Sequence, residues 1–151
     1  MRLVKTVLHT GSVDFAGGYY QAHTRLAAPV DVPVVAAALG EKAYELCGAE
    51  ADGAMSWVCP GPYWRDVALP ALLRGADSAG RPVPPLVAHA PVCVHDHAEE
   101  IRAAVRQQFG FFAPSPFDQN MFRAAGFEEV TQGTWSDAMI DAVALGATKP
   151  G

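Results

Sequence analysis

The sequence predicts an α/β protein with a parallel sheet or barrel, on three observations. Apolar runs at 32–38, 53–57 and 86–94 read as strands. Helical periodicity separates them at 41–50 and 63–80. The first run, Val32 to Ala38, is almost continuously apolar, the pattern of a strand buried on both faces. Strands alternating with helices imply crossover units and therefore parallel pairing.

Each element has its own signal. In Arg2 to Thr10, Leu3, Val7 and Leu8 recur at helical spacing and Gly11 stops the segment. No capping residue precedes it, so it reads as the tail of a longer helix. From Val13 to His23, aromatics flank Gly17 and Gly18, a hairpin signal, with Phe15, Tyr19 and Tyr20 expected over a core edge. Glu41 to Glu50 reads as a helix with Ala43, Leu46 and Cys47 inward. Gly53 to Trp57 is a short strand, and Pro60-Gly-Pro a loop.

Tyr63 to Gly80 is helical, with Val67, Ala71 and Leu72 inward, and Pro70 either kinks this helix or starts its main part. Arg81 to Pro85 is a linker turn. Leu86 to Val94 is a third strand, with a bulge expected at Pro91, which cannot donate to a ladder. Asp96 is expected to cap a helix whose stripe is Ile101, Val105, Phe109 and Phe112, ended by Pro114 and Pro116. Phe117 to Ala125 and Ser136 to Val143 are further helices, Ser136 being a good N-cap. Residues from Gly146 onward are expected to fray.

Composition narrows the function. Of 151 residues, 50% are hydrophobic and 18% charged, a globular balance without a disorder signature. The net charge is −5 and no Lys or Arg run occurs, which argues against nucleic acid and anionic membranes as partners. Three cysteines, Cys47, Cys59 and Cys93, are widely spaced and odd in number. They suit a reducing compartment, and the cytoplasm is the expected location. There is no signal-peptide pattern and no apolar run of spanning length.

Several residues could carry chemistry. At Leu39-Gly40-Glu41-Lys42 an apolar run meets a helix start. Gly40 would let backbone approach an anion, and the free amides of the first helical turn would point at it. The helix dipole adds ~0.5–1 kcal/mol for an anion there, and Lys42 adds a point charge. The same residues also fit a plain strand-to-helix turn. Asp52-Gly53 reads as a helix-to-strand turn rather than a ligand carboxylate. Trp57, Cys59 and the Pro60 to Trp64 loop follow a strand end, where they could face a ligand or lid the core. Cys59 has no neighbouring base and so no support as a nucleophile.

His89 sits mid-strand beside Pro91 and is the best proton-handling candidate, with a satisfied core histidine as the plainer reading. His95 and His97 flank Asp96, but no Cys or Glu completes a zinc pattern, so no metal is expected. Glu99, Glu100, Arg102 and Arg106 form a charged outer helix face. Nucleophile-elbow, Walker-type and Rossmann motifs are absent.

Taken in order, Gly11-Ser-Val-Asp-Phe-Ala-Gly-Gly-Tyr-Tyr, Val34-Val-Ala-Ala-Ala-Leu-Gly-Glu-Lys and Ala49-Glu-Ala-Asp-Gly resemble the bacterial luciferase-like superfamily. The closer resemblance is to its oxidoreductases that use the deazaflavin coenzyme F420. Asp66-Val-Ala-Leu-Pro-Ala-Leu, Ala79-Gly-Arg-Pro, Val87-Ala-His-Ala-Pro-Val-Cys-Val and Ser136-Asp-Ala-Met-Ile-Asp-Ala continue the pattern to about Leu145.

The resemblance implies a partial (β/α)8 TIM-type barrel, 1–151 as a single domain truncated at both ends, holding roughly strands five to seven with their helices. Strands one to four, which carry much of the flavin-ring pocket and most catalytic side chains, would be missing, and so would the last strand. It implies F420-dependent hydride transfer on a small-molecule substrate, with an FMN-dependent monooxygenase as the alternative. By position it assigns cofactor phosphate to Leu39, Gly40 and Lys42. A non-catalytic barrel fragment is the other expectation, one that self-associates as a homo-oligomer or pairs with a complementary barrel half, because a partial sheet leaves two edges and an apolar face open.

Overall fold

The computed structural model describes residues 1–129 and 133–147. Helix α1 (Arg2–Thr10) leads through Gly11 into an antiparallel hairpin, β1 (Ser12–Ala16) and β2 (Gln21–Arg25). Gly11 takes φ 80°, the left-handed conformation that glycine adopts without strain, and its amide closes the helix on Val7 O at 3.0 Å. The hairpin is as expected. Its aromatics are not: Phe15, Tyr19 and Tyr20 are exposed, because the hairpin packs with α1 and reaches no core.

The body is parallel. β3 (Val35–Ala37), β4 (Gly53–Ser56) and β5 (Leu86–Ala88) form one sheet in the order β3-β4-β5, with Ala37 opposite Met55 and Met55 opposite Val87. Helix α2 (Glu41–Glu50) crosses from β3 to β4. A longer crossover returns to β5, made of a helical turn α3 (Gly61–Tyr63), a wide turn over Trp64–Ala68 and α4 (Leu69–Ser78). The wide turn bonds Leu69 N back to Trp64 O. It falls directly before Pro70, which has no amide to give, so the proline starts the main part of the helix.

Leu86 to Val94 is not one bulged strand. It divides into β5 and β6 (Val92–Val94), and β6 pairs in parallel with β7 (Leu145–Ala147). Proline explains the division. Pro91 cannot donate, but its carbonyl accepts from Leu145 N at 2.8 Å, while His89 N still reaches Ser56 O at 3.2 Å. The chain therefore changes neighbour from β4 to β7 across three residues. β7 also corrects the expectation that no strand follows the last helix. The expected fraying falls partly on 148–151, outside the described residues.

Helices α5 (Ala98–Phe109), α6 (Pro116–Ala124) and α7 (Asp137–Val143) complete the layer, with a tight turn at Gly110–Phe112. Ser136 caps α7 through Met139 N as expected, and Ser115 caps α6 through Asp118 N. The cap position of α5 falls one residue after the expected Asp96. The N-cap is His97, which makes no side-chain cap bond.

The core lies between sheet and helices, around Tyr44, Cys47, Ala54, Leu72, Phe122, Met139 and Ile140. On α2 the buried stripe is Tyr44, Cys47 and Gly48, one position round from the expected Ala43, Leu46 and Cys47. Leu46 is half exposed. The opposite face of the sheet is open, so Val32 to Ala38 is not buried on both sides: Val35 and Ala37 are exposed and only Ala38 is buried. The protein is thus an open parallel arc backed by helices, not a closed barrel.

Candidate functional site at the strand ends

The carboxyl ends of β3, β4 and β5 converge on one rim, the position where parallel barrels bind ligands. At β3, Leu39 is held by its carbonyl, which accepts from the Tyr63 hydroxyl at 2.9 Å. At β4, Trp64 Nε1 donates to Ser56 Oγ at 2.9 Å, and Ser56 is fully buried. Both anchors come from the Pro60 to Trp64 segment, so it supports the rim from behind. Burial holds the Tyr63 phenol and the Cys59 thiol in their protonated forms, each pushed up to about 12.

Beyond Ser56 the backbone is strained. Val58 has φ 43°, the left-handed region that a β-branched side chain rarely enters. Such strain costs on the order of 1–3 kcal/mol and is characteristic of ligand sites. Just before this turn Trp57 lies on the open face, as strand alternation from Met55 requires, and stacks on His89 just after β5 with ring centroids 3.9 Å apart and planes 13° from parallel. Phe109 also meets His89, edge-on at 6.1 Å between ring centroids. His89 Nδ1 is buried without a hydrogen-bond partner among the described residues.

A cavity of about 360 Å³ opens beside Trp57, lined by Ala37, Ala38, Leu39, Met55, Phe112 and Asp118. A second, of about 200 Å³, lies across Leu39 at the start of α2, between Gly40, Glu41, Tyr63 and the α6 residues Phe117, Asn120 and Met121. Gly40 caps α2 in an extended conformation, φ −90° and ψ 158°. Ala43 N and Tyr44 N return to Gly40 O, while the amides of Glu41 and Lys42 have no intrahelical partner, as at any helix start. A side chain on Gly40 would meet nothing within 4 Å. The fold does not need glycine there, and open space lies over the free amides. Glu41 pairs with Arg74, which offsets the one carboxylate next to the seat. Lys42 is exposed and in no ion pair among the described residues.

The other candidates lie apart. Asp52 is at the start of β4, the opposite end of the sheet, where it clamps α1. Lys5 Nζ is 2.5 Å from Oδ1, Val34 N donates to Oδ2 at 2.8 Å, and Arg81 lies 3.7 Å away. These hydrogen bonds and charges, Lys5 first, hold its carboxyl below the usual carboxylate range. His95 and His97 have ring centroids 5.6 Å apart, with His95 3.4 Å from Glu100. The charged face of α5 is less solvated than expected. Arg102 pairs with Glu99 at 2.7 Å, but also with Asp141 at 2.7 Å, and Arg106 pairs with Asp137, so the face fastens α5 to α7. Phe112 enters the rim from the turn after α5 and Asp118 from the first turn of α6, a juxtaposition that no sequence spacing signals.

The comparisons agree with this architecture. The solved structure of the coenzyme F420-dependent tetrahydromethanopterin reductase from Methanopyrus kandleri is similar, with a TM-score of 0.71 and 19% identity over 97% of this chain and 48% of that one. An F420-dependent secondary alcohol dehydrogenase, solved with an F420–acetone adduct, is similar with a TM-score of 0.72 and 22% identity over 95% of this chain and 45% of that one. The chain spans about half the length of these structures, and at such identities the likeness establishes the fold: an arc of a TIM-type barrel. No curated protein matches. Among the described residues, no helix is long and apolar enough to cross a membrane. The family of luciferase-like monooxygenases matches residues 1–146, and the chain belongs to it.

Proposed function

We propose that the chain is the cofactor-holding part of an oxidoreductase that uses coenzyme F420 for hydride transfer to or from a small-molecule substrate. One observation carries this reading: an apolar cavity walled by Trp57, Met55 and Phe112 adjoins, across Leu39, an open helix start at Gly40. A deazaflavin cofactor needs both, an apolar slot for its flat ring and an anion seat for its phosphate. When bound, the cofactor supplies the hydride chemistry. Leu39, Gly40 and Lys42 hold the phosphate through the free amides and the Lys42 ammonium. Trp57 and Phe112 exclude water from the ring. His89 is the residue that handles a proton, at its shielded Nδ1. A cytoplasmic location fits the three free thiols.

FMN is the second reading, favoured by the monooxygenase description of the family. It carries the same ring-and-phosphate chemistry. Fluorescence titration of the folded chain with coenzyme F420 and FMN in parallel separates the two. Saturable binding of F420 supports the proposal, preferential binding of FMN replaces it with the second reading, and binding of neither refutes the cofactor role.

A further inference from the structure

We infer that Asp118 holds the hydroxyl chain of the cofactor, the polyol that joins its flat ring to its phosphate. This rests on the cofactor reading and extends it to a residue and a ligand group which that reading leaves open. The first observation is the carboxylate itself. Asp118 stands third in α6, is half-buried, and is the one charged side chain lining the cavity of about 360 Å³ beside Trp57. A carboxylate in the first turn of a helix is favoured by the helix dipole, and there it can reach back to the amide of the N-cap residue. Here that amide is taken, since Ser115 N donates to Phe112 O at 2.9 Å. Only the backbone of Asp118 takes part in the cap, its amide donating to Ser115 Oγ. The carboxylate makes no hydrogen bond or ion pair among the described residues. An ionised carboxylate accepts hydrogen bonds and donates none. An apolar wall that carries one is matched by a ligand bringing O–H or N–H donors.

The second observation is where this carboxylate stands. The ring cavity and the phosphate seat share Leu39, and α6 walls both: Asp118 lines the first, and Phe117, Asn120 and Met121 line the second. A ligand with its ring in one and its phosphate in the other crosses Leu39 alongside α6. The part that crosses is the chain between ring and phosphate. In coenzyme F420 and in FMN alike that chain is ribityl, a run of free hydroxyls. The Leu39 carbonyl at the crossing already accepts from the Tyr63 hydroxyl, which leaves Asp118 as the charged acceptor for the chain. Asp118 does not line the seat, so the phosphate meets the free amides of α2 there and not a second carboxylate beside Glu41.

The test is fluorescence titration of the wild-type chain, Asp118→Ala and Asp118→Asn, each checked for folding by circular dichroism. The ligands are the bare deazaflavin ring, the ring with its ribityl chain, and coenzyme F420, with lumiflavin, riboflavin and FMN as the parallel flavin series. Asp118→Ala is expected to weaken the ribityl and the phosphorylated ligands by the same factor and to leave the bare ring unchanged. That factor is roughly ten- to a hundredfold, the scale of a hydrogen bond to a charged group. Asp118→Asn keeps an acceptor of the same shape and should lose less. Equal weakening of the bare ring would overturn the inference in favour of a contact to the ring edge. Unchanged binding of every ligand would overturn it and leave Asp118 as a helix-start carboxylate only. Tighter binding of the phosphorylated ligands alone would overturn it by showing like-charge repulsion. Those three outcomes leave the cofactor reading standing, whereas binding of no ligand by the wild-type chain overturns both.

Discussion

Gly48 on α2 and Gly75 on α4 lie at one crossing, where each helix presses its backbone against the other. A Cβ on Gly48 would stand 2.1 Å from Leu72 O, and one on Gly75 would stand 1.9 Å from Glu45 O. Neither obstacle is a flexible side-chain tip, so the helices themselves would have to separate. Gly48→Ala and Gly75→Ala are each expected to destabilise the fold by at least about 2 kcal/mol, measured by urea denaturation. A loss under half of that would mean that the crossing relaxes freely.

Gly40 is the contrasting case. Its backbone is ordinary for any residue and no atom crowds it. Gly40→Val should therefore fold with unchanged helical dichroism while losing affinity for a phosphate-bearing cofactor. Unchanged affinity would remove the seat from consideration, whatever binds elsewhere on the rim.

Tyr63→Phe tests the rear anchor of the rim. It removes the hydroxyl that donates to Leu39 O at 2.9 Å and leaves that carbonyl without this donor. The expected cost is about 1–2 kcal/mol in stability, with weaker cofactor binding because Leu39 loses its support. Equal stability of mutant and wild type in denaturant would show that water replaces the phenol.

Asp52 gives the acid limb a definite sign. Its folded pKa is depressed, so the stability it contributes is present above the ordinary carboxylate value of ~3.9 and is lost as pH falls from there through the folded value. Asp52→Asn should lower stability at neutral pH and flatten its decline in that acidic window. An unchanged acid slope would assign the decline to other carboxylates.

Thiol chemistry should follow burial. Cys47 and Cys59 are buried and Cys93 is half-buried, so a thiol reagent should modify Cys93 first in the native protein and all three only after denaturation. Burial also raises the pKa of Cys59 to about 12. An unfolded thiol ionises near ~8.5, so this group contributes stability below that pH and loses it as pH rises toward 12. Replacing Cys59 by Ala should flatten the alkaline limb, and a limb left unchanged would trace it to Cys47 or to the buried tyrosines.

The parts of the fold that were legible in the sequence are those set by local rules. Gly11 ended α1 and Ser136 capped α7 because a positive φ and an unpaired amide are satisfied within a few residues. What tertiary contact decides was not legible. On α2, residues 43, 46 and 47 and residues 44, 47 and 48 have the same periodicity, and hydrophobicity favours Leu46. The crossing at Gly48 turns the helix the other way and leaves Leu46 outside. The sequence signals the break at Pro91 as a bulge, but a change of partner depends on β7, more than fifty positions later. At the rim, the sequence places Trp57 after a strand end and His89 mid-strand beside Pro91. Their stacking, and the arrival of Phe112 from the α5–α6 connection and of Asp118 from α6, are tertiary contacts that no local rule announces.

The brevity of the strands has a consequence for how this protein fails. β3, β5, β6 and β7 have three residues each, and Pro91 sits between β5 and β6. Fibril growth by stacking requires an unbroken window of about six or seven residues that is rich in β-formers and free of proline. This apolar arc offers no such window within its paired strands. Exposed during synthesis or after unfolding, it should cluster into amorphous, redissolving material rather than seed cross-β fibres, so recovery from heat is expected to be limited by precipitation and not by amyloid.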